Sequence, residues 1–150
     1  MVNERATTEK RRTASVTPSR ELAASIVQAM QEKKGDQIVV MDMRQVSGLA
    51  DYFVLCSAES DLQAKALIEH IRKTVKERFR ELPWNVEGED YLQWVLMDYV
   101  DVVAHILTPE KRSFYELERL WGDAPMERVA EDQERVELLT AMESSDETPH

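Results

Sequence analysis

Cysteine is almost missing from this 150-residue chain: Cys56 stands alone. One thiol cannot form an internal disulfide, so a packed core must hold the fold, and a reducing cytoplasm suits it. Glycine is scarce as well, with four residues. None falls in a G-x-x-x-x-G-K or G-x-G-x-x-G pattern, which removes the backbone cradle that phosphate-binding loops need. Apolar runs are short, and none approaches the twenty or so residues that span a bilayer, so no membrane partner is expected. Residues 1–17 lack the apolar stretch of a secretory signal, and Glu4 and Glu9 argue against an organellar transit peptide. Positive charge is in deficit: 19 Lys and Arg face 29 Asp and Glu, for a formal net charge of -10. Such a chain repels phosphate backbones as a whole, which argues against binding free nucleic acid. A basic protein partner fits better, because opposite fields steer encounter.

What is present is enough for one core. The chain is 43% hydrophobic and 32% charged, and its length suits one domain with tails. Charge is unevenly spread. Residues 1–17 carry four bases against two acids, whereas residues 122–150 carry nine acids against Arg128 and Arg135. The expected organisation is a disordered segment over 1–17, an α/β domain over 18–124, and an acidic C-terminal tail over 125–150.

Hydrophobic spacing predicts the elements. Ser19 reads as the cap of a first helix carrying Leu22, Ile26, Ala29 and Met30, with Gly35 just past its end. Residues 37–43 (QIVVMDM) and 51–57 (DYFVLCS) read as buried strands. Ser60 caps a long helix that Pro83 stops near Leu82. Residues 84–86 read as a short edge strand. Residues 94–98 and 102–107 read as a tight hairpin about Tyr99 and Val100. Pro109 opens a helix expected to run to Trp121, with Phe114, Leu117, Leu120 and Trp121 on its core face. Residues 126–142 keep some helical periodicity and read as an isolated helix or a tail; residues 144–150 read as disordered. The result is a mixed sheet of about five strands flanked by helices.

Signals for catalysis are weak. His70, His105 and His150 are far apart and match no H-E-x-x-H or H-x-x-x-H spacing, so neither a metal nor a cofactor is expected. His70 reads as a surface residue, and His105 as a half-buried strand residue or a partner contact. Cys56 sits among Phe53, Val54 and Leu55 and reads as a small buried hydrophobe. Asp42, Asp51, Asp98 and Asp101 lie at strand ends or turns. They form no D-x-D, the spacing that puts two carboxylates on one strand face to share Mg²⁺. The aromatic cluster says more. Trp94, Tyr99, Phe114, Tyr115 and Trp121 fall among Asp98, Asp101, Glu116, Glu118 and Arg119. Aromatics beside acids suit a core or a protein interface, where Trp, Tyr and Arg dominate hot spots.

The order of those residues narrows the choice. The block WVLMDYVDVVAHILTPEKRSFYELERLWGDA, residues 94–124, resembles the signature of the Iojap, or RsfS, ribosomal silencing factors. Trp94, Asp98, Tyr99, Asp101, Val103 and His105 match its first half. Pro109, Glu110, Tyr115, Leu117, Glu118, Leu120 and Trp121 match its second. Upstream, Asp51, Tyr52, Phe53, Ser57, Ser60 and Gln63 match the family's A-D-Y-F-V-I-x-S-x-x-S-x-x-Q stretch. One departure is Val100, where the family has glycine. The resemblance implies a nucleotidyltransferase-like α/β fold without catalytic carboxylates, and no enzyme activity. It implies binding to ribosomal protein uL14 of the large subunit, steric block of small-subunit joining under nutrient limitation, and homodimer formation. It implies a uL14 contact set of Trp94, Asp98, Tyr99, Asp101, His105, Tyr115, Glu118 and Trp121. Two alternatives remain at this point: a nucleotidyl- or phosphoryl-transfer enzyme using Asp42 and Asp98, and an assembly adaptor that leaves joining unblocked.

Overall fold

A computed structural model describes residues 17–140; the expectations for residues 1–16 and 144–150 lie outside the described residues. Helix α1, Ser19–Glu32, buries Leu22, Ile26, Ala29 and Met30 as their spacing requires. Its cap position is Pro18, in extended backbone, and not Ser19. Ser19 begins the helix and donates its Oγ proton to Asp51 Oδ2 at 2.7 Å. At the far end the left-handed residue is Lys34, with φ 62°, rather than Gly35. Gly35 is needed for space: a Cβ there would lie 3.0 Å from Cys56 Sγ.

Strands β1, Asp36–Asp42, and β2, Tyr52–Ser57, follow. Helix α2, Asp61–Phe79, is capped by Ser60, whose Oγ accepts from the Gln63 N–H. Gln63 Oε1 accepts in turn from the Glu59 N–H at 2.7 Å, a close relative of the reciprocal capping box. The helix ends at Arg80, in left-handed backbone, before Pro83 can act. Strands β3, Asn85–Glu87, β4, Trp94–Asp98, and β5, Val102–Leu107, come next.

The expected helix from Pro109 to Trp121 is two helices, α3, Pro109–Tyr115, and α4, Leu117–Leu120. Glu116 breaks them apart with φ 47°. The helical reading of residues 126–142 is also corrected. Met126–Val129 is strand β6, antiparallel to β1, and among the described residues a 3-10 turn, Glu137–Leu139, follows it. Alternation in M-E-R-V suits a strand, and the unpaired edge of β1 supplies its partner.

Six strands therefore form the sheet, in the order β3-β4-β5-β2-β1-β6. Only β2 and β5 run parallel; the other neighbours are antiparallel. Side chains alternate between two faces. Tyr52, Val54, Cys56, Val102, Ala104 and Ile106 face α1 and α2 and form the main core with Ile26, Leu67 and Ile71. Val129, Val136 and Leu139 from the acidic segment join the same core. Cys56 is fully buried, and burial pushes its thiol up to about 12, so it is an inert core residue. The opposite face is only partly covered. Leu117, Ala124 and the half-buried Trp121 lie over Val39, Met41 and Leu55. The remainder of that face is open.

Candidate docking surface

On the open face, six aromatic rings touch in sequence. Trp121 meets Phe53 edge-on at 6.3 Å between centroids, and Phe53 meets His105 at 4.7 Å. His105 lies 6.2 Å from Trp94, Trp94 lies 4.8 Å from Tyr115, and Tyr115 lies 4.9 Å from Phe114. The rings come from β2, β4, β5, α3 and the residue that ends α4, so the strip exists only in the folded sheet. Leu96 and Val103, both half-buried, extend it across β4 and β5. The break at Glu116 turns Phe114 and Leu120 outward, and they are 77% and 68% exposed. Both were expected on the core side of one continuous helix.

His105 supports the strip from below. It is 4% exposed, and its Nδ1 accepts the Trp94 indole N–H at 3.1 Å. Burial, helped by the nearby Arg112 charge, holds its pKa down to about 4, so the ring is neutral at pH 7. With Nδ1 accepting, the proton sits on Nε2, a buried donor that no described residue accepts. The histidine is thus the positioning partner of Trp94 rather than an exposed contact.

The strip ends at the β4–β5 hairpin. Asp98 Oδ1 accepts the Val100 N–H at 2.7 Å, and Asp101 N donates to the Tyr99 carbonyl at 3.0 Å, a γ-turn centred on Val100. Val100 adopts φ 77° with a β-branched side chain. Asp98 and Asp101 are half-exposed on either side of the turn. Tyr99 is different: it points into the main core and is 3% exposed, which corrects its expected place on the surface. Burial raises its hydroxyl pKa.

Glu118 also serves the interior. Arg112 is 7% exposed and donates to Ser57 Oγ at 3.0 Å, to the Gln37 carbonyl at 2.8 Å and to Glu118 Oε2 at 2.8 Å. Burial opposes the charge on Glu118, but the hydrogen bond and charge of Arg112 outweigh it and hold its pKa low. Gln37 lies in a bulge of β1 with φ 50°, and its carbonyl finds Arg112 instead of a ladder partner. The Arg112–Glu118 pair therefore fastens α3 and α4 to β1 and β2. No local sequence pattern marks Arg112, because its partners Ser57 and Gln37 lie 55 and 75 positions away. Of the expected contacts, Trp94, Asp98, Asp101, Tyr115 and Trp121 reach the surface, joined by Phe53 and Phe114, which were not among them.

Asp42, at the end of β1, is engaged by its neighbour Arg44. Arg44 donates to both its oxygens, at 2.9 and 2.8 Å, and stacks over the Tyr52 ring. Among the described residues, no three His, Cys, Asp or Glu are placed to hold a metal ion, and no helix is long and apolar enough to cross a membrane.

Comparison with known proteins decides the family. The model of the family "Ribosomal silencing factor during starvation" matches residues 16–149. The chain belongs to this family. Within it, the chain is 37% identical over 107 residues to the ribosomal silencing factor RsfS of Halalkalibacterium halodurans, covering 71% of this chain and 91% of that one. It is 40% identical over 98 residues to the RsfS of Bacillus subtilis, covering 65% and 82%. A crystal structure of a Chromobacterium violaceum protein superposes with a TM-score of 0.67 at 29% identity, covering 71% of this chain and 88% of that one.

Proposed function

We propose that this protein silences the large ribosomal subunit by docking its open sheet face on ribosomal protein uL14 and so excluding the small subunit. The observation that supports this reading most is the continuous strip of rings edged by Asp98 and Asp101. An apolar centre with a charged rim is the anatomy of a protein interface. Trp94 and Tyr115 are held by neighbouring rings, so little side-chain entropy is lost on binding. The rim acids suit a basic ribosomal protein and speed encounter in the chain's acidic field. Repression is steric, requires no catalysis, and acts in the cytoplasm when nutrients are short.

A subunit-joining assay with purified subunits tests this. The wild-type chain should retain large subunits in the unjoined state and co-purify with uL14. Tyr115→Ala removes a ring at 43% exposure. It should weaken binding about tenfold or more, as truncation of an interface aromatic does. Asp101→Lys should weaken it further at low salt than at high salt. Wild-type potency in both variants would sink the proposed surface. Large-subunit binding without any block of joining would indicate an adaptor.

A further inference from the structure

We infer that Arg112 is the positioning residue of the docking surface: its buried guanidinium holds α3 on the sheet and so sets where Phe114, Tyr115 and Trp121 stand. The inference rests on the docking reading above. Helix α3 has seven residues, too few to be stable alone in water. Nor does an apolar face hold it. Among the described residues of α3, Arg112 alone is buried, while Phe114 and Tyr115 are exposed. The chain is tied on either side, at Thr108, whose N–H donates to the Gln93 carbonyl at 3.0 Å, and at Leu117, buried with Val39 and Leu55. Between these ties the helix reaches into the sheet through one side chain.

That side chain spans three elements. Arg112 donates to Ser57 at the end of β2, to the Gln37 carbonyl in the bulge of β1, and across the break to Glu118 of α4. Three acceptors fix a planar fork in both place and orientation, which a single ammonium cannot reproduce. The bond to Glu118 also fixes the angle between α3 and α4. Glu116 between them adopts φ 47°, which persists in a residue with a Cβ only where its surroundings impose it. On one side of that break Tyr115 meets Trp94 at 4.8 Å, and on the other Trp121 meets Phe53 at 6.3 Å. Both ends of the ring strip therefore stand on one buried ion pair. Such a pair is a weak source of stability, and what this one supplies is a single geometry.

Binding of the full chain to purified large subunits, together with amide exchange in the free chain, tests the inference. Arg112→Lys keeps the charge and loses the fork. It should bind about tenfold more weakly, the loss expected of a displaced interface aromatic. Val136→Ala, which thins the core on the opposite face of the sheet, is the control: it should lower the urea midpoint yet bind as the wild type. Added to Tyr115→Ala, Arg112→Lys should cost little more, because the ring it positions is already gone. In the free Arg112→Lys variant, amide exchange should quicken over residues 109–121 and stay slow in β2 and β5. Glu118→Gln releases α4 but leaves the bonds to the strands. It should show the same pattern in smaller measure, and it decides the question if Arg112→Lys does not fold. Wild-type affinity of a folded Arg112→Lys variant, an equal loss in Val136→Ala, a loss that adds in full to that of Tyr115→Ala, or exchange that rises evenly through the sheet each overturns the inference and leaves the docking reading standing. A wild-type chain that fails to bind large subunits overturns both.

Discussion

His105 joins two functions in one ring, because its Nδ1 fixes Trp94 while its burial fixes its own protonation state. The unfolded chain holds this imidazole at an ordinary 6.5, whereas the folded protein holds it near 4. As pH falls below 6.5 the unfolded state takes up the proton first, so acid favours unfolding. The contribution is complete above pH 6.5 and is lost as pH falls toward 4. It amounts to about 3 kcal/mol, from roughly 1.4 kcal/mol for each pH unit of displacement. Protonation would also remove the acceptor of the Trp94 indole. His105→Phe should therefore flatten the slope of stability between pH 6.5 and about 5, above the range where carboxylates with lowered pKa such as Glu118 and Asp42 titrate, measured by urea unfolding at a series of pH values. At pH 7 the variant should be less stable by about 1–3 kcal/mol, because the Trp94 N–H loses its partner. An unchanged slope would mean that other groups set the acid response.

At the level of elements, the hairpin turn sets a β-branched residue in backbone that favours glycine. The γ-turn forces Val100 to φ 77°, a region that costs a residue with a Cβ about 1–2 kcal/mol. At an ordinary site alanine is more stable than glycine by about 0.5–1 kcal/mol. Here the order should invert: Val100→Gly should exceed Val100→Ala in stability by about 1 kcal/mol in urea unfolding. Comparing these two variants cancels the loss of the valine methyls, which is common to both. A conventional order would show that the turn relaxes around a side chain. The central strands β2 and β5 were legible from sequence, because they are covered on the helix side and read as short, nearly continuous apolar runs. The breaks were not. Glu116, Gln37 and Arg80 take left-handed backbone without being glycine or asparagine. What stabilises Gln37 is a tertiary hydrogen bond from Arg112, 75 positions away, which no local pattern can show. The exposure of Phe114 follows from one such break, so Trp94, Tyr115 and Trp121 were readable by residue type, whereas Phe53 and Phe114 join the surface only through geometry.

At the scale of the whole molecule, the acidic segment is the decisive case. Its charge suggested a solvated tail, since eight acids and two arginines fall in residues 125–150. Net charge alone predicts that removing it relieves repulsion and stabilises the domain. The structure predicts the reverse. Four residues of β6 pair with β1, and Val129, Val136 and Leu139 are each buried in the main core. Gln31 adds hydrogen bonds of 2.8 Å to the Ala130 and Gln133 carbonyls. Three buried aliphatic side chains contribute about 1.5–3 kcal/mol each, a sum comparable with the total stability of many domains. Truncation after Ala124 should thus lower the urea midpoint sharply or abolish the folding transition. It should also leave the edge of β1, with Val39 and Met41, open to strand pairing between chains. Sedimentation of the truncated chain should accordingly show association that rises with protein concentration. A truncated chain that stays monomeric and keeps the wild-type midpoint would return residues 125–150 to the status of a charged tail.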